Sequence, residues 1–222
     1  VIGASSRSTL PNLHALIPSF TLQMLQEGTT QASAQQLAEF FDYHGAEVYP
    51  TLSYTQEGLS MLCIKKHLFA LLPTFISLFT EATFPVENLE KRKSQRKLSL
   101  KLDQEKPSSR AGQLFKKGLF GPEHPYGQEI TEAHIDEIRP SLMQAYYQTQ
   151  LWKDCSLFLS GDFTLQELDL LLAQLEQLPL RYGAQKQELK SPSSSWDFQE
   201  DKEGAVQSSI RLGAWAIPKK HP

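Results

Sequence analysis

The sequence predicts an α+β fold in which helices pack on a mostly antiparallel sheet. The first observation is the order of the elements, which runs helix, helix, strand, strand, long helices, strand, helix. The second is the composition, because 40% of the 222 residues are apolar and 21% are charged, as in globular proteins that bury a core without covalent staples. The third is that no apolar run reaches the roughly 18 residues needed to span a membrane.

The first elements are a strand end and a long helix. Residues 1–4 are predicted to be the end of a strand. The apolar spacing over 10–27 predicts a helix. Pro18 lies inside that pattern and predicts a kink, because proline removes a backbone donor. Gly28 follows it and is expected to end the helix in a left-handed conformation, which a Cβ would disfavour.

A second helix and two strands follow. Ser33 is a favoured cap for a helix that Gly45 closes. Residues 46–53 and 58–65 predict two strands joined by a turn. Apolar residues on both faces of the second strand indicate that it is buried, which places Cys63 in the core.

The rest of the chain predicts mainly helices, with one further strand before the last helix. The predicted helices are 66–80, 85–102, 108–117, 131–138, 140–150 and a leucine-rich helix capped by Thr164. Residues 156–160 predict a strand, and the Gly- and Pro-rich residues 118–128 predict a loop. Residues 191–195 are typical of a linker, and the alternation over 206–217 predicts a strand with one covered face.

Charge and cysteine content exclude several classes of protein. The net charge is −3, which argues against a protein built to neutralise nucleic-acid phosphates, and two cysteines cannot form a disulfide framework. The densest positive run is predicted to be a solvated helix face, with contact to an anionic ligand or acidic peptide as the alternative. This run consists of Lys91, Arg92, Lys93, Arg96, Lys97 and Lys101.

The sequence contains none of the common catalytic motifs. No two histidines are spaced i, i+4 on a helix, and no G-x-S-x-G, G-x-x-x-x-G-K or G-x-G-x-x-G motif occurs. His134 and Glu137 form an H-x-x-E fragment that lacks a second histidine, which favours a solvated helix face. Cys63 and Cys155 both lie on predicted strands, so that packing roles are favoured over nucleophilic ones.

Several segments, taken in order, resemble the insulinase family of metallopeptidases, which includes pitrilysin and mitochondrial processing peptidase. Met-Leu-Gln-Glu-Gly-Thr at 24–29 resembles the segment that follows the family's H-x-x-E-H helix. The other resembling segments are Ala38–Ala46, Asp103–Pro107 with Leu114 and Phe120, Pro125–Gly127, Tyr146–Tyr147, Ser160–Asp162 and Val206–Ile210. The resemblance implies the family's α+β metallohydrolase-like fold.

The same resemblance implies that the zinc chemistry is lost. The family's first histidine falls on Ser19, its catalytic glutamate on Leu22 and its second histidine on Gln23. The third zinc ligand, a glutamate, falls near Ser99. Zinc sites of this kind need two imidazoles and a carboxylate, with a glutamate to take a proton from bound water. We therefore expect no catalytic residues, no metal ligands and no cofactor at these positions.

The function that the resemblance implies is a noncatalytic peptidase homologue without activity of its own. Such a chain would pair with an active zinc peptidase half or subunit and help to form a chamber that binds peptide substrates. One alternative is a scaffold or assembly subunit without a peptidase partner, and another is an active zinc-dependent endopeptidase using unrecognised residues. Nucleic acid is not an expected partner, no membrane span is expected in this segment, and association of copies through 206–217 is a further expectation.

The domain prediction treats the chain as a piece of a longer protein, because it begins without Met and stops after a predicted strand. Residues 1–185 are expected to form the peptidase-homologue domain, with the family's N-terminal strands expected to be missing from it. Residues 186–204 form a linker, and 205–222 form the first strand of a following domain. The cellular location is left open, since a signal would lie upstream.

Overall fold

The structure is a computed structural model, and it describes residues 2–6, 16–53, 56–122, 124, 126–179, 181–183 and 196–216. The strands are β1 (Ile2–Ser6), β2 (Glu47–Leu52), β3 (Glu57–Leu62) and β4 (Ser156–Leu159). The helices are α1 (Ile17–Met24), α2 (Ala34–Tyr43), α3 (Leu68–Thr80), α4 (Val86–Gln104), α5 (Pro107–Phe120), α6 (Glu132–Asp136), α7 (Pro140–Thr149) and α8 (Leu165–Leu175). A 3₁₀ turn at Lys65–His67 precedes α3. Within the described ranges, no helix is both long and apolar enough to cross a membrane.

The elements fall into two compact units. The first takes its described residues from 1–11, 16–91 and 138–186, and the second from 92–137 and 187–222. The first unit contains the whole sheet together with α1, α2, α3, α7 and α8, whereas the second contains most of α4 with α5 and α6.

The sheet has the strand order β2-β3-β1-β4, and each neighbouring pair is antiparallel. The predicted α+β class with a mostly antiparallel sheet is therefore confirmed. β1 lies inside the sheet, because Ile2 pairs with Met61 on β3 and with Leu159 on β4. β2 and β4 are the edge strands.

One face of the sheet carries the core. Leu59 and Met61 on β3 are fully buried, and Ile2 beside Met61 is almost as inaccessible. Leu62 points to the opposite face and is 45% exposed, and Ile64 is 62% exposed. The prediction that both faces of this strand are buried is therefore wrong, since successive side chains of a strand point to opposite faces. Cys63 follows the end of β3 and is half-buried.

Helix boundaries set by capping residues are confirmed. The Ser33 hydroxyl accepts a hydrogen bond from the N–H of Gln36, and the Gln36 side chain accepts one from the N–H of Ser33. Thr164 and Glu167 form the same reciprocal box at the start of α8. Gly45 follows α2 with a φ of 60°, which is the left-handed conformation predicted for a closing glycine.

The predictions for Pro18 and Gly28 are wrong. Pro18 lies in the first turn of α1, where its missing N–H has no intrahelical acceptor to lose, so it does not kink the helix. The helix ends at Met24, well before Gly28. Gly28 instead has a φ of 154° and bridges Ser33, and its carbonyl accepts a 2.9 Å hydrogen bond from the N–H of Thr83.

In the second unit, residues 196–216 run along α5 as irregular chain. Trp196 lies against Gly118 so closely that a side chain at Gly118 would overlap the indole, and its ring centre is 5.6 Å from that of Phe115. The Nζ of Lys202 donates to the backbone carbonyl of Glu105 at 2.8 Å, just beyond the end of α4. The predicted strand over 206–217 is wrong for residues 206–216, which form no strand. Ile217 and the predicted linker residues 191–195 lie outside the described residues.

The basic side chains of α4 contact acidic residues of α6. The Nζ of Lys97 is 2.6 Å from a carboxylate oxygen of Asp136, and that of Lys101 is 3.3 Å from one of Glu132. Lys93 is only 8% exposed, and its Nζ lies 3.4 Å from the Asp136 carbonyl. This part of the basic run is therefore an ion-paired helix face.

Candidate functional site

The helix α1 carries three of the four positions that the family resemblance assigns to zinc chemistry. It forms because an apolar stripe, which includes Ile17, Phe20 and Met24, is buried in the first unit. α1 packs on α7 and on strands β2 and β3. Ser19, Leu22 and Gln23 are at positions i, i+3 and i+4 and therefore lie on adjoining parts of one side of the helix, with Leu22 buried and Gln23 exposed.

The side chains at these positions do not fit a zinc ion. The Ser19 hydroxyl donates its hydrogen to the Leu16 carbonyl at 2.9 Å. Leu22 is 1% exposed and is part of the core, so the position that the resemblance assigns to the catalytic glutamate holds a buried alkyl group. Gln23 is exposed and presents a neutral amide. A hydroxyl, an alkyl group and an amide supply neither the imidazoles nor the general base that such a site requires.

Ser99, the fourth predicted position, lies on α4 in the second unit and is half-buried. Its hydroxyl is not a carboxylate ligand. Across the described ranges, no three His, Cys, Asp or Glu side chains cluster in a way that could hold a metal ion. No step of a zinc-dependent reaction can therefore be assigned to these residues.

The remaining candidates from the sequence lie apart from α1. His134 occupies the third position of α6, where its Nδ1 accepts a hydrogen bond from the N–H of Thr131, so it caps a helix. Cys63 and Cys155 are half-buried free thiols, and burial raises the pKa of Cys63. A raised pKa keeps the thiol protonated and poorly nucleophilic.

A buried polar pair in the first unit was missed by sequence reasoning. Glu57 is 1% exposed, and both of its carboxylate oxygens lie 2.6 Å from the hydroxyl of Tyr146 on α7. Burial, followed by the Glu57 carboxylate, raises the pKa of Tyr146, so the phenol keeps its proton and can donate. The sequence placed Glu57 in a turn and gave no signal for this contact.

A cleft of about 620 Å³ lies next to the end of α3. It is lined by Thr30, residues 79–84, Pro140, Ser141, Gln144, Tyr147, Gln148, Pro179 and Arg181. The Tyr147 hydroxyl accepts a 3.1 Å hydrogen bond from the N–H of Ala82, and a guanidinium nitrogen of Arg181 donates to the Leu151 carbonyl at 3.0 Å. These hydrogen bonds connect the segments that line the cleft. The Tyr147 and Arg181 side chains do not form an acid–base pair.

The edge of the sheet at β2 carries a proline. Pro50 pairs in register with Leu59 of β3. A proline within a strand must have its nitrogen on the side without a neighbouring strand, because it has no N–H to donate. The free edge of β2 therefore lacks one donor at its centre, while the remaining backbone groups of that edge are those of an ordinary edge strand.

Solved structures of peptidases share this fold. A peptidase M16 inactive domain from Pseudomonas fluorescens matches with a TM-score of 0.71 and 20% identity, over 86% of this chain and 48% of that chain. A protease from Helicobacter pylori matches with a TM-score of 0.69 and 11% identity, over 86% of this chain and 48% of that chain. The periplasmic protease PqqL from Escherichia coli matches with a TM-score of 0.67 and 16% identity, over 83% of this chain and 21% of that chain.

The chain therefore has the fold of an M16 peptidase domain, and the resemblance to the insulinase family is confirmed at the level of the fold. It spans about half the length of the inactive-domain protein and of the Helicobacter protease, and about a fifth of PqqL. No protein-family model and no curated protein sequence matches the chain.

Proposed function

We propose that this chain is a noncatalytic insulinase-type peptidase homologue, which pairs with an active zinc peptidase half or subunit. The observation that carries the proposal is the identity of one side chain of α1. Leu22 is a buried alkyl group at the position that the resemblance assigns to the catalytic glutamate. Ser19 and Gln23 stand where imidazoles are needed, so the chain retains the scaffold without the chemistry. A solved structure with this fold is itself described as an inactive domain, which supports the same assignment.

The role that we propose for the chain is to form part of a peptide-binding chamber. The free edge of β2 could align an extended peptide by backbone hydrogen bonds, a mode that recognises peptides without regard to most of their side chains. Because Pro50 removes one donor at the centre of this edge, a bound peptide would lack one bond there. This arrangement favours weak, broadly specific contact with substrate over tight capture.

The domain assignment is part of the same proposal. Residues 1–185 are the peptidase-homologue domain, 186–204 a linker, and 205–222 the start of a following domain, which would become a strand only on pairing with that domain or with another copy of the chain. Val206, Ile210 and Leu212 are 97%, 80% and 93% exposed, so that their apolar side chains are accessible to a neighbouring domain or to another copy.

The test uses purified protein and an H-x-x-E-H peptidase from the same organism. We expect the two to co-elute as a complex and the complex to cleave unstructured peptides faster than the peptidase alone, while this chain alone cleaves none. Cleavage by this chain alone that a zinc chelator abolishes would contradict the proposal. Absence of both a complex and any effect on cleavage would favour the scaffold alternative instead.

A variant of this chain tests the proposed peptide contact at β2. It is designed to bind the peptidase as before and to lose part of the contact with the substrate. A second proline in β2, introduced as Leu52→Pro, would remove another donor from the free edge, because residues 50 and 52 share an orientation. We expect the variant to bind the peptidase as before but to accelerate cleavage less. Equal acceleration by both proteins would exclude a role for β2 in peptide contact.

A further inference from the structure

Two imidazole rings meet at a place that the proposed function does not use. His44 follows the last residue of α2, and His67 ends the 3₁₀ turn that precedes α3. Their ring centres are 5.3 Å apart and the ring planes make an angle of 75°. Both side chains are half-buried, so water and ions can reach them, and both belong to the first unit.

The tautomer of the neutral His44 ring follows from its hydrogen bond. The Nδ1 of His44 lies 2.8 Å from the backbone carbonyl of Phe40. A carbonyl oxygen can only accept, so Nδ1 carries the hydrogen and, in the neutral ring, Nε2 carries the lone pair. Histidines that bind metals almost always donate their other ring nitrogen to a carbonyl or carboxylate in this way, which fixes the ring and makes it a better ligand.

Neighbouring rings hold His44 in place. The Phe40 ring is centred 4.7 Å from the imidazole, and the Tyr43 ring is centred 5.1 Å from it. The position of His67 is fixed through its backbone, because its N–H donates to the Ile64 carbonyl at 2.9 Å. No hydrogen bond joins the His67 ring to any other residue in the described part of the chain, so its nitrogens are available to a ligand.

The separation of the two rings is one that a shared metal ion permits, and it also lies within the range of an edge-to-face ring contact. In zinc sites each imidazole nitrogen lies about 2.0–2.1 Å from the ion, and the ring centre lies roughly 1.1 Å further out, so tetrahedral coordination places two ring centres about 5.2 Å apart. The observed 5.3 Å agrees with this value.

We propose that His44 and His67 form an open binding site for a divalent transition-metal ion such as Zn²⁺ or Cu²⁺. Imidazole is the common ligand of these ions, and water would complete the coordination, since no third His, Cys, Asp or Glu joins the pair within the described ranges. Two protein ligands give an exchangeable ion with free coordination positions. The site lies on α2 and the 3₁₀ turn, so it does not involve Ser19, Leu22, Gln23 or Ser99.

The experiment is a calorimetric titration of the metal-free protein with ZnCl₂ and, separately, CuCl₂. The variants His44→Phe and His67→Phe keep an aromatic ring in the packing but remove the ligand nitrogens. We expect each to lower Zn²⁺ affinity at least tenfold, and we expect Cu²⁺ to bind the unaltered protein more tightly than Zn²⁺. The control is His134→Gln, which removes an imidazole elsewhere and retains a side chain suited to the third position of a capped helix; its affinity should stay within twofold.

A second measurement separates loss of the site from loss of the fold. Imidazole resonances of His44 and His67 should shift or broaden together on addition of Zn²⁺, in a protein whose amide spectrum is otherwise unchanged. Equal Zn²⁺ affinity of the unaltered protein and the His44→Phe/His67→Phe double variant would overturn the proposal, as would the absence of saturable binding. Neither result bears on pairing with a peptidase, so the two proposals fail separately.

Discussion

Tyr146 donates its phenolic hydrogen to Glu57, 89 positions away in the sequence, with the hydroxyl 2.6 Å from each carboxylate oxygen. Both residues are almost fully inaccessible, at 2% and 1% exposure. The contact joins the first residue of β3 to the middle of α7, and it satisfies a carboxylate that would be costly to bury alone.

The first prediction is that Tyr146→Phe destabilises the protein by about 1–3 kcal/mol, because it removes a hydrogen bond to a buried carboxylate. The measurement is urea unfolding followed by circular dichroism. Tyr182→Phe, on a side chain that is 87% exposed, is the matched control and should change stability by less than about 0.5 kcal/mol. Equal stability of the two variants would show that the hydrogen bond contributes nothing.

The second prediction concerns the capping residue Glu167. The Thr164 N–H, the Lys65 ammonium and the Thr164 hydroxyl lower its pKa from 4.5 to about 2. A carboxylate with a depressed folded-state pKa stabilises the protein above its ordinary pKa, and this stabilisation is lost as the pH falls from 4.5 towards 2. Glu167→Gln keeps an acceptor for the cap but cannot titrate.

We therefore expect Glu167→Gln to lose less stability than the unaltered protein between pH 5 and pH 2. The check is urea unfolding at several values of pH in this range. Asp169→Asn, on the same helix and without a capping contact, should follow the unaltered protein. If Glu167→Gln leaves the pH dependence of the stability unchanged, other titrating groups cause that dependence.

The third prediction compares two glycines. Gly28→Ala should destabilise by about 1–3 kcal/mol, because Gly28 has a φ of 154° and an added Cβ would lie 3.0 Å from the Thr83 hydroxyl oxygen. Gly112→Ala should stabilise by about 0.5–1 kcal/mol, since Gly112 lies inside α5 with open space around it. Thermal unfolding of both variants tests the pair, and a neutral Gly28→Ala would show that this backbone relaxes without strain.

The fourth prediction is that the chain holds no catalytic zinc. Elemental analysis of the His44→Phe/His67→Phe variant, purified without chelator, should give far less than one zinc per chain. This variant removes the proposed open site, so any remaining zinc would have to be bound elsewhere. Stoichiometric zinc that is lost on altering residues of α1 or α4 would contradict the noncatalytic assignment.

The fifth prediction concerns backbone protection in residues 206–212. None of these residues forms a hydrogen bond with another described residue, so their amides should exchange with solvent rapidly in the isolated chain. In a complex with the active peptidase, or at protein concentrations at which copies associate, we expect exchange to slow. Fast exchange under every condition would rule out the proposed pairing strand.

The sequence predicted those parts of the fold that depend on neighbouring residues. Ser33 with Gln36 and Thr164 with Glu167 define helix starts through contacts three residues apart, and Gly45 defines a helix end through its own backbone conformation. The assignment of Ser19, Leu22, Gln23 and Ser99 to the zinc positions rests on the family resemblance and stays a prediction. Their burial could not be predicted, since it depends on packing against distant elements.

The errors share one physical cause, which is tertiary context. Gly28 follows a helical pattern closely enough to suggest a cap, but its backbone pairs with Thr83, which is 55 positions later. Val206 and Leu212 alternate with polar residues as a strand would, yet a strand forms only where a neighbour supplies hydrogen bonds. The Glu57–Tyr146 and His44–His67 contacts bring together residues whose separation in the sequence carries no recognisable pattern.

The position of β1 inside the sheet has a consequence for synthesis on the ribosome. Both neighbours of β1 come later in the chain, and the pairing of Ile2 with Leu159 has to wait until roughly 150 further residues have been made. At about 5–20 residues per second, this interval lasts of the order of ten to thirty seconds. During that time the backbone groups on one side of β1 have no neighbouring strand, so this edge is open to pairing with other chains until β4 emerges.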